Sequence, residues 1–253
     1  MSDDLSFGAK LDNWRSTPYS KWAFHHVREI VPTADIENKS GLVNDLNLDV
    51  QRFEDLNLEQ VMEETETDAI VIAQNNSILF EKYNNGMSEK SPHILFSVSK
   101  SILGLIVGAL IENKTLKESD LIIKFIPELK MTAYSDATVR DLLDMRVGVK
   151  FDEDYTATTG PIINYRYAAN WNPVPVGVEA GDLKSFMGSL TERDGIHNDR
   201  FHYVSPNTDL LAWVCERASG IRYSDLISEL LWTPLGAESS GYITVDRLGG
   251  MRA

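Results

Sequence analysis

The sequence predicts an α+β fold, because a clear β-hairpin precedes one strongly apolar helix and several later helices. Two runs of strand-forming residues, 69–73 and 78–83, flank the pair Asn75-Asn76. Asparagine tolerates positive φ, so this pair is typical of the tight turn of a hairpin. The segment 101–110 leaves almost no polar face, which predicts a buried helix.

Helix boundary signals recur in the second half of the chain. Thr138, followed three residues later by Asp141, resembles a capping box, and Gly148 is expected to end that helix. Ser205 and Pro206 are interpreted as the N-cap and first residue of another helix, which runs to Gly220. Further helices are expected over 58–64, 182–190 and 223–231.

The segment 151–181 is expected to be a long irregular loop. It contains Tyr155, Tyr165, Tyr167 and Trp171 among glycines and prolines. A loop this long in a compact domain is usually a functional lid or a disordered segment, and aromatic residues argue against disorder. We therefore expect a lid over a functional site.

Composition favours a globular protein of the cytoplasm. Of 253 residues, 43% are hydrophobic and 25% are charged, which is ordinary for a soluble domain. No apolar run approaches the roughly 20 residues that span a bilayer, and the N-terminus has no apolar signal core. The single cysteine, Cys215, fits a reducing compartment. We expect a cytoplasmic location and no membrane partner.

The charge balance argues against a nucleic-acid partner. Lys+Arg number 24 and Asp+Glu 38, so the net charge is 24 − 38 = −14. This mildly favours neutral or cationic substrates, although solubility explains it more simply. The five histidines are scattered, and the adjacent His25 and His26 would point opposite ways on an extended segment. We expect no metal and no cofactor, and a metal-dependent hydrolase has little support.

Two parts are expected: an N-terminal arm over 1–66, which lays aromatic rings such as Trp14 and Trp22 on the main body, and a domain over 67–253. Only two strands are predicted with clarity, and a lone hairpin is marginally stable. The chain stops in the turn-like segment 248–253. We expect further strands beyond residue 253, which would make this sequence an incomplete copy of a larger protein.

The strongest chemical signal is the pair Ser97 and Lys100, the chain's one Ser-x-x-Lys, which opens the apolar helix. Residues i and i+3 share a helical face, so the hydroxyl and the amine are expected to be neighbours. A serine nucleophile needs a base, and a lysine amine serves once burial or positive potential favours its neutral form. The simpler interpretation is an ordinary helix start, with Ser97 or Ser99 as N-cap.

Tyr203 is a third candidate, because it lies just before the helix that Ser205 and Pro206 begin. A nearby ammonium stabilises phenolate, so Ser97, Lys100 and Tyr203 could form one proton-transfer unit. The alternative is a half-buried aromatic residue without a chemical role.

These motifs together resemble those of the serine β-lactamase-like hydrolases, which include class C β-lactamases, DD-peptidases, family VIII esterases and 6-aminohexanoate-dimer hydrolases. The aromatic start and the segment 28–32 look most like the last branch. The resemblance implies a β-lactamase/transpeptidase-like α+β fold, in which an antiparallel sheet, incomplete in this chain, is flanked by helices beside a largely helical second lobe. Four motifs occur in the family's order: 96–100, 138–143 with Gly148, 203–207 and 233–236.

The same resemblance implies an acyl-enzyme mechanism on small amides or esters. Ser97 would attack the carbonyl, Lys100 would take its proton, Tyr203 would relay it, and the Ser97 backbone N–H would be one oxyanion donor. The candidate substrate-binding residues that it implies are Tyr155, Trp171, Ser205 and Asn207.

Two departures keep alternatives open. The family's Tyr-x-Asn is Tyr203-Val204-Ser205 here, with Asn207 displaced, and no Lys/His-Thr/Ser-Gly, the family's third motif, follows it in this chain. If the chain ends at Ala253, we expect weak or no turnover. β-Lactamase or DD-peptidase activity and a non-catalytic ligand-binding role remain alternative functions. A homodimer remains an alternative to a monomer.

Overall fold

The computed structural model describes residues 8–50, 57–250 and 253. The predicted N-terminal arm therefore includes two stretches, 1–7 and 51–56, that lie outside the described residues. The helices are α1 Ser20–Ala23, α2 Leu58–Glu64, α3 Ser99–Glu112, α4 Ile122–Phe125, α5 Val139–Leu143, α6 Pro161–Ala168, α7 Leu183–Ser189, α8 Ser205–Ser219, α9 Tyr223–Ile227 and α10 Thr233–Leu235; the strands are β1 Thr33–Ile36, β2 Asn47–Leu48, β3 Ala69–Gln74, β4 Ser77–Tyr83 and β5 Gly241–Thr244.

The predicted hairpin is confirmed. Strands β3 and β4 pair antiparallel, and Asn75 and Asn76 between them have φ values of 49° and 62°. Two consecutive positive φ values give the turn whose twist matches that of the flanking strands. Strand β2 pairs in parallel with the other edge of β4, so this sheet has the order β2-β4-β3.

A second sheet joins the two ends of the described chain. Strand β1 pairs antiparallel with β5, with Thr33 opposite Thr244 and Ile36 opposite Gly241. The sequence predicted no strand in either region, because each has only four residues and no turn signal joins them. The N-terminal segment also enters the core directly, since the Trp14 side chain is fully buried.

Helix α3 forms one wall of the core, but it is not buried on all sides as its composition predicted. Leu103, Ile106, Val107 and Leu110 are buried, whereas Leu105 is 62% exposed. Leu105 therefore lies on the solvent-facing side of this helix. Helices α8 and α9 pack against α3, and α5 packs against α8, so the core lies between α3 and the helical lobe.

Several helix boundaries differ from the predictions for local reasons. The capping box of Thr138 and Asp141 is confirmed, but α5 ends at Leu143, well before Gly148, because Met145 turns the chain with a φ of 53°. Helix α8 begins at Ser205 with Val204 as N-cap, one residue earlier than expected.

The segment 151–181 is less irregular than expected, because it contains helix α6. Its start carries the Gly160-Pro161 pair, with Gly160 at a φ of 92° and Pro161 at the first helical position. Proline is pre-organised for that position, because its φ is already helical and its missing N–H is not needed there. No helix in the described ranges is both long and apolar enough to cross a bilayer.

Gly148 occupies a close approach between two loops. A Cβ added there would lie 2.5 Å from the backbone oxygen of Gly195, and the Gly148 N–H donates to His197 Nδ1 at 3.0 Å. We expect Gly148→Ala to lower the free energy of unfolding by about 1–3 kcal/mol, since the backbone must shift to relieve the contact.

Urea denaturation measures this change, and Gly188→Ala is the matched control. Gly188 is an exposed residue of α7 where an added Cβ meets nothing within 4 Å. The control variant should be neutral or more stable by up to about 1 kcal/mol, because alanine favours helix. Equal unfolding midpoints for the two variants would contradict the packing argument.

Candidate active site

Ser97 lies in a tight turn immediately before α3. The turn spans Phe96–Val98 and continues directly into the helix, which leaves the Ser97 hydroxyl exposed at a cavity. Phe96 has a φ of 46°, an unfavourable conformation for a large side chain. Its ring meets those of Phe24 at 5.1 Å and Trp171 at 6.0 Å between centroids, in edge-to-face geometry. These contacts hold the strained turn in place.

Three side chains that the sequence singled out meet at this turn. Lys100 Nζ donates to Ser97 Oγ at 3.3 Å, and the Tyr203 phenol donates to the same oxygen at 2.7 Å. Lys100 Nζ also lies 5.6 Å from the centre of the Tyr203 ring. A serine hydroxyl this close to an amine and a phenol can pass its proton to whichever of the two groups is in its deprotonated form.

Tyr203 reaches Ser97 because the start of α8 is fixed. Val204, the N-cap residue, is fully buried and has no side chain that can cap the helix. The Glu153 carboxylate takes that role instead: it accepts from the Ser205 backbone N–H at 2.6 Å and from Ser205 Oγ at 2.5 Å. The side chain of Ser205 is therefore turned towards Glu153, although Ser205 also lines the cavity.

The two expected lid residues lie on the cavity wall. The Tyr155 phenol donates to Glu153 Oε1 at 2.5 Å, and partial desolvation of the phenol together with this hydrogen bond raises the pKa of Tyr155. Trp171 packs against Trp14 at 5.2 Å between ring centroids, and its indole N–H donates to Thr244 Oγ1 at 3.3 Å. Tyr155 is mostly exposed, whereas Trp171 is only 8% exposed.

The expectation that Asn207 contacts substrate does not fit the structure. Its side chain is fully buried, and its amide oxygen accepts a hydrogen bond from the Tyr134 phenol at 3.1 Å. Asn207 is absent from the cavity lining, because it lies two positions into α8 and faces the interior of the helical lobe.

Glu153 is a site residue that sequence reasoning missed. It belongs to the irregular start of the 151–181 segment and lies 52 positions from its partner Ser205. No spacing pattern connects two residues so far apart. The sequence also suggests Ser205 itself as the N-cap, so it gives no signal that an acceptor must come from elsewhere; the structure shows this need by placing Val204 at the cap.

The cavity beside Ser97 has a volume of about 630 Å³, within the usual range for small-molecule sites. Its walls carry apolar residues such as Ile102 and Ile162 and charged groups of both signs. The net charge of −14 therefore does not describe the cleft, and the preference for neutral or cationic substrates receives no support from its lining. The charged side chains are those of Arg15, Glu89, Lys90, Lys100, Glu153 and Arg166.

Cysteine chemistry and metal chemistry have weaker support among the described residues. Burial raises the pKa of the Cys215 thiol to about 12, which leaves it protonated and unreactive. His25 and His26 bond to backbone carbonyls, of Lys21 and Trp22 respectively. The described part of the chain contains no group of three or more His, Cys, Asp or Glu side chains placed to hold a metal ion.

Similar solved structures indicate the fold. A protein from Bacillus anthracis, described as a candidate 6-aminohexanoate-dimer hydrolase, superposes with a TM-score of 0.88 at 23% identity, over 97% of this chain and 67% of that one. A candidate β-lactamase from Bacteroides dorei DSM 17855 superposes with a TM-score of 0.56 at 21% identity, over 73% and 51% of the two chains. The α+β, β-lactamase/transpeptidase-like fold expected from the motifs is confirmed.

Sequence comparison adds a curated relative. This chain is 34% identical over 242 residues to the 6-aminohexanoate-dimer hydrolase of Paenarthrobacter ureafaciens. The aligned region covers 94% of this chain but only 61% of that protein. The family model described as Beta-lactamase matches residues 55–247. Because that match spans most of the 253 residues and includes all three side chains that meet at the cavity, the chain belongs to the Beta-lactamase family.

Proposed function

We propose that the protein is a serine hydrolase that cleaves amide or ester bonds of small acyl compounds through an acyl-enzyme on Ser97. The observation that carries this proposal is the convergence on Ser97 Oγ of Lys100 Nζ at 3.3 Å and the Tyr203 phenol at 2.7 Å. A serine bonded to an amine and a phenol at a cavity mouth has the parts that nucleophilic catalysis needs.

In the proposed acylation, one proton leaves Ser97 Oγ and one proton is delivered to the leaving group. With Lys100 neutral, its amine accepts the Ser97 proton as Ser97 Oγ bonds to the substrate carbonyl carbon. The proton then passes through Tyr203 to the leaving amine or alcohol, whose bond to the carbonyl breaks. Water, giving its proton to the same groups, then attacks the acyl carbon; the bond from that carbon to Ser97 Oγ breaks, the proton returns to Ser97 Oγ and the acid is released. The Ser97 backbone N–H is the proposed oxyanion donor, a contribution of about 3 kcal/mol in related sites.

We propose linear amides of the 6-aminohexanoate type, or carboxylic esters, as substrates. The support is the 34% identity to a 6-aminohexanoate-dimer hydrolase, although this chain spans only 61% of that protein's length. Tyr155 and Trp171 on the cavity wall are the proposed contacts to the acyl or leaving group. Ser205 also lines the cavity, but its hydroxyl is engaged by Glu153.

A second candidate is hydrolysis of β-lactams or of D-alanyl peptides. The observation that favours it is the Beta-lactamase family match over residues 55–247. Both candidates use the same acyl-enzyme on Ser97 and differ only in the acyl group, so substrate comparison separates them.

The first test is covalent labelling. A fluorophosphonate should add to Ser97, because the probe needs only an activated hydroxyl and no deacylation. Mass spectrometry of the digested protein should locate the adduct on the peptide that contains Ser97. Ser101→Ala is the matched control, since Ser101 is an exposed serine on the same helix and should leave labelling unchanged. Absence of an adduct, or an adduct on another serine, would contradict the proposal.

The second test removes the three groups one at a time. Hydrolysis of a nitrophenyl ester should be abolished by Ser97→Ala and reduced about 10²–10⁴-fold by Lys100→Ala, because the base is lost. Tyr203→Phe should reduce it by about 10²-fold or more, since the ring remains but the proton relay is gone. A Tyr203→Phe variant with the unsubstituted rate would remove Tyr203 from the mechanism.

The third test compares substrates. The 6-aminohexanoate dimer, a nitrophenyl ester, a chromogenic cephalosporin and a D-alanyl-D-alanine peptide should be offered at equal concentration. We expect the highest kcat/KM for the ester or the linear amide and at least tenfold less for the β-lactam and the peptide. Faster turnover of the cephalosporin would favour the second candidate, and saturable binding of any of the four without acylation would favour a non-catalytic relative.

A further inference from the structure

Glu153 links the lid segment to the start of α8 through one carboxylate. Its Oε2 accepts from the Ser205 backbone N–H at 2.6 Å. Its Oε1 accepts from both Ser205 Oγ and the Tyr155 phenol, each at 2.5 Å. The two oxygens are thus engaged by three protein donors, which restrict the carboxylate to one orientation.

The bond to Ser205 matters because α8 lacks a cap of its own. The first backbone N–H groups of a helix have no intrahelical acceptor, and the N-cap side chain normally supplies one. Val204 has no oxygen to offer, so the carboxylate of Glu153 stands in its place. A negative charge at a helix N-terminus is also favourable, because it interacts with the helix dipole.

The position of the Tyr203 phenol depends on this cap. Tyr203 precedes the fully buried N-cap Val204 and lies two residues from Ser205, so little backbone freedom separates it from the bonded N–H. Its phenol must stay 2.7 Å from Ser97 Oγ, a contact between residues 106 positions apart. A shift of about 1 Å at such a contact can cost on the order of 10²-fold in rate.

We propose that Glu153 is a positioning residue for the reaction: by capping α8 through Ser205, it holds the Tyr203 phenol against Ser97. This inference rests on the proposed serine hydrolase function. Glu153 touches neither reacting atom, so its effect passes through Tyr203. Because its oxygens already accept from protein donors, its loss should lower kcat and leave KM within about twofold.

The test compares Glu153→Ala with Glu153→Gln in nitrophenyl ester hydrolysis. We expect at least a tenfold loss of kcat in the alanine variant. The glutamine variant should remain within about threefold, because an amide oxygen still accepts the Ser205 N–H. A loss as large in E153Q as in E153A would show that the charge, and not the hydrogen-bonded geometry, is required, and would overturn the proposal. Glu192→Ala is the matched control: Glu192 is an exposed carboxylate that pairs with Lys150, so kcat should not change.

A double-mutant comparison separates positioning from a general structural role. In a Tyr203→Phe background, Glu153→Ala should cause less than a threefold further loss of kcat, since the group that it positions is already disabled. A further tenfold loss there would overturn the positioning role. Ser205→Ala gives the same comparison if E153A does not fold: it removes only the Oγ bond, and its expected loss of two- to tenfold should vanish in the Tyr203→Phe background.

Labelling by a fluorophosphonate distinguishes failure of the proposed hydrolase function from failure of the proposed role of Glu153. If the unsubstituted protein gives no adduct on Ser97, the serine hydrolase function itself fails. If it gives the adduct and E153A is labelled at the same rate, the function stands and the role of Glu153 is wrong. The inference is supported if E153A is labelled at least tenfold more slowly while E153Q stays within about threefold of the original rate and E192A keeps it.

Discussion

The hydrogen bond from the Tyr203 phenol to Ser97 Oγ joins two elements that have no local reason to meet. One is the turn that begins α3, and the other is the residue pair before α8, 106 positions further along the chain. Helices α3 and α8 contact each other in the core, so their packing brings the two N-terminal ends to one cavity. The geometry of the site is therefore a consequence of how these two helices pack.

Each end of that hydrogen bond is held by a different kind of contact. The Ser97 turn contains Phe96 in a positive-φ conformation, which costs of order 1–3 kcal/mol. Edge-to-face contacts with Phe24 and Trp171 offset this cost, at about 0.5–1.5 kcal/mol for each aromatic pair. The Tyr203 end is held by polar contacts, from Glu153 to the start of α8. Hydrophobic packing thus holds the Ser97 turn, and a carboxylate cap holds the start of the helix next to Tyr203.

The fold and the candidate site were predictable from sequence to different extents. Ser97 and Lys100 follow from helical spacing alone, because i and i+3 share a face. Tyr203 is a candidate because it precedes the helix that begins at Ser205, but its link to Ser97 rests on the resemblance between ordered motifs, since no spacing rule relates the two residues. Asn207 was misplaced because two steps along a helix rotate a side chain by about 200°, which turns it from the cavity side to the interior.

Local chemistry in the sequence determined the Asn75-Asn76 turn, the Thr138 capping box and the Ser97–Lys100 pair, because each depends on residues within a few positions of one another. The tertiary structure alone decided the pairing of β1 with β5, the close approach of Gly148 to Gly195 and the cap that Glu153 supplies to α8. These contacts join residues between 47 and 211 positions apart, from Gly148 with Gly195 to Thr33 with Thr244. No local propensity encodes them, since their partners are selected by the packing of the whole domain.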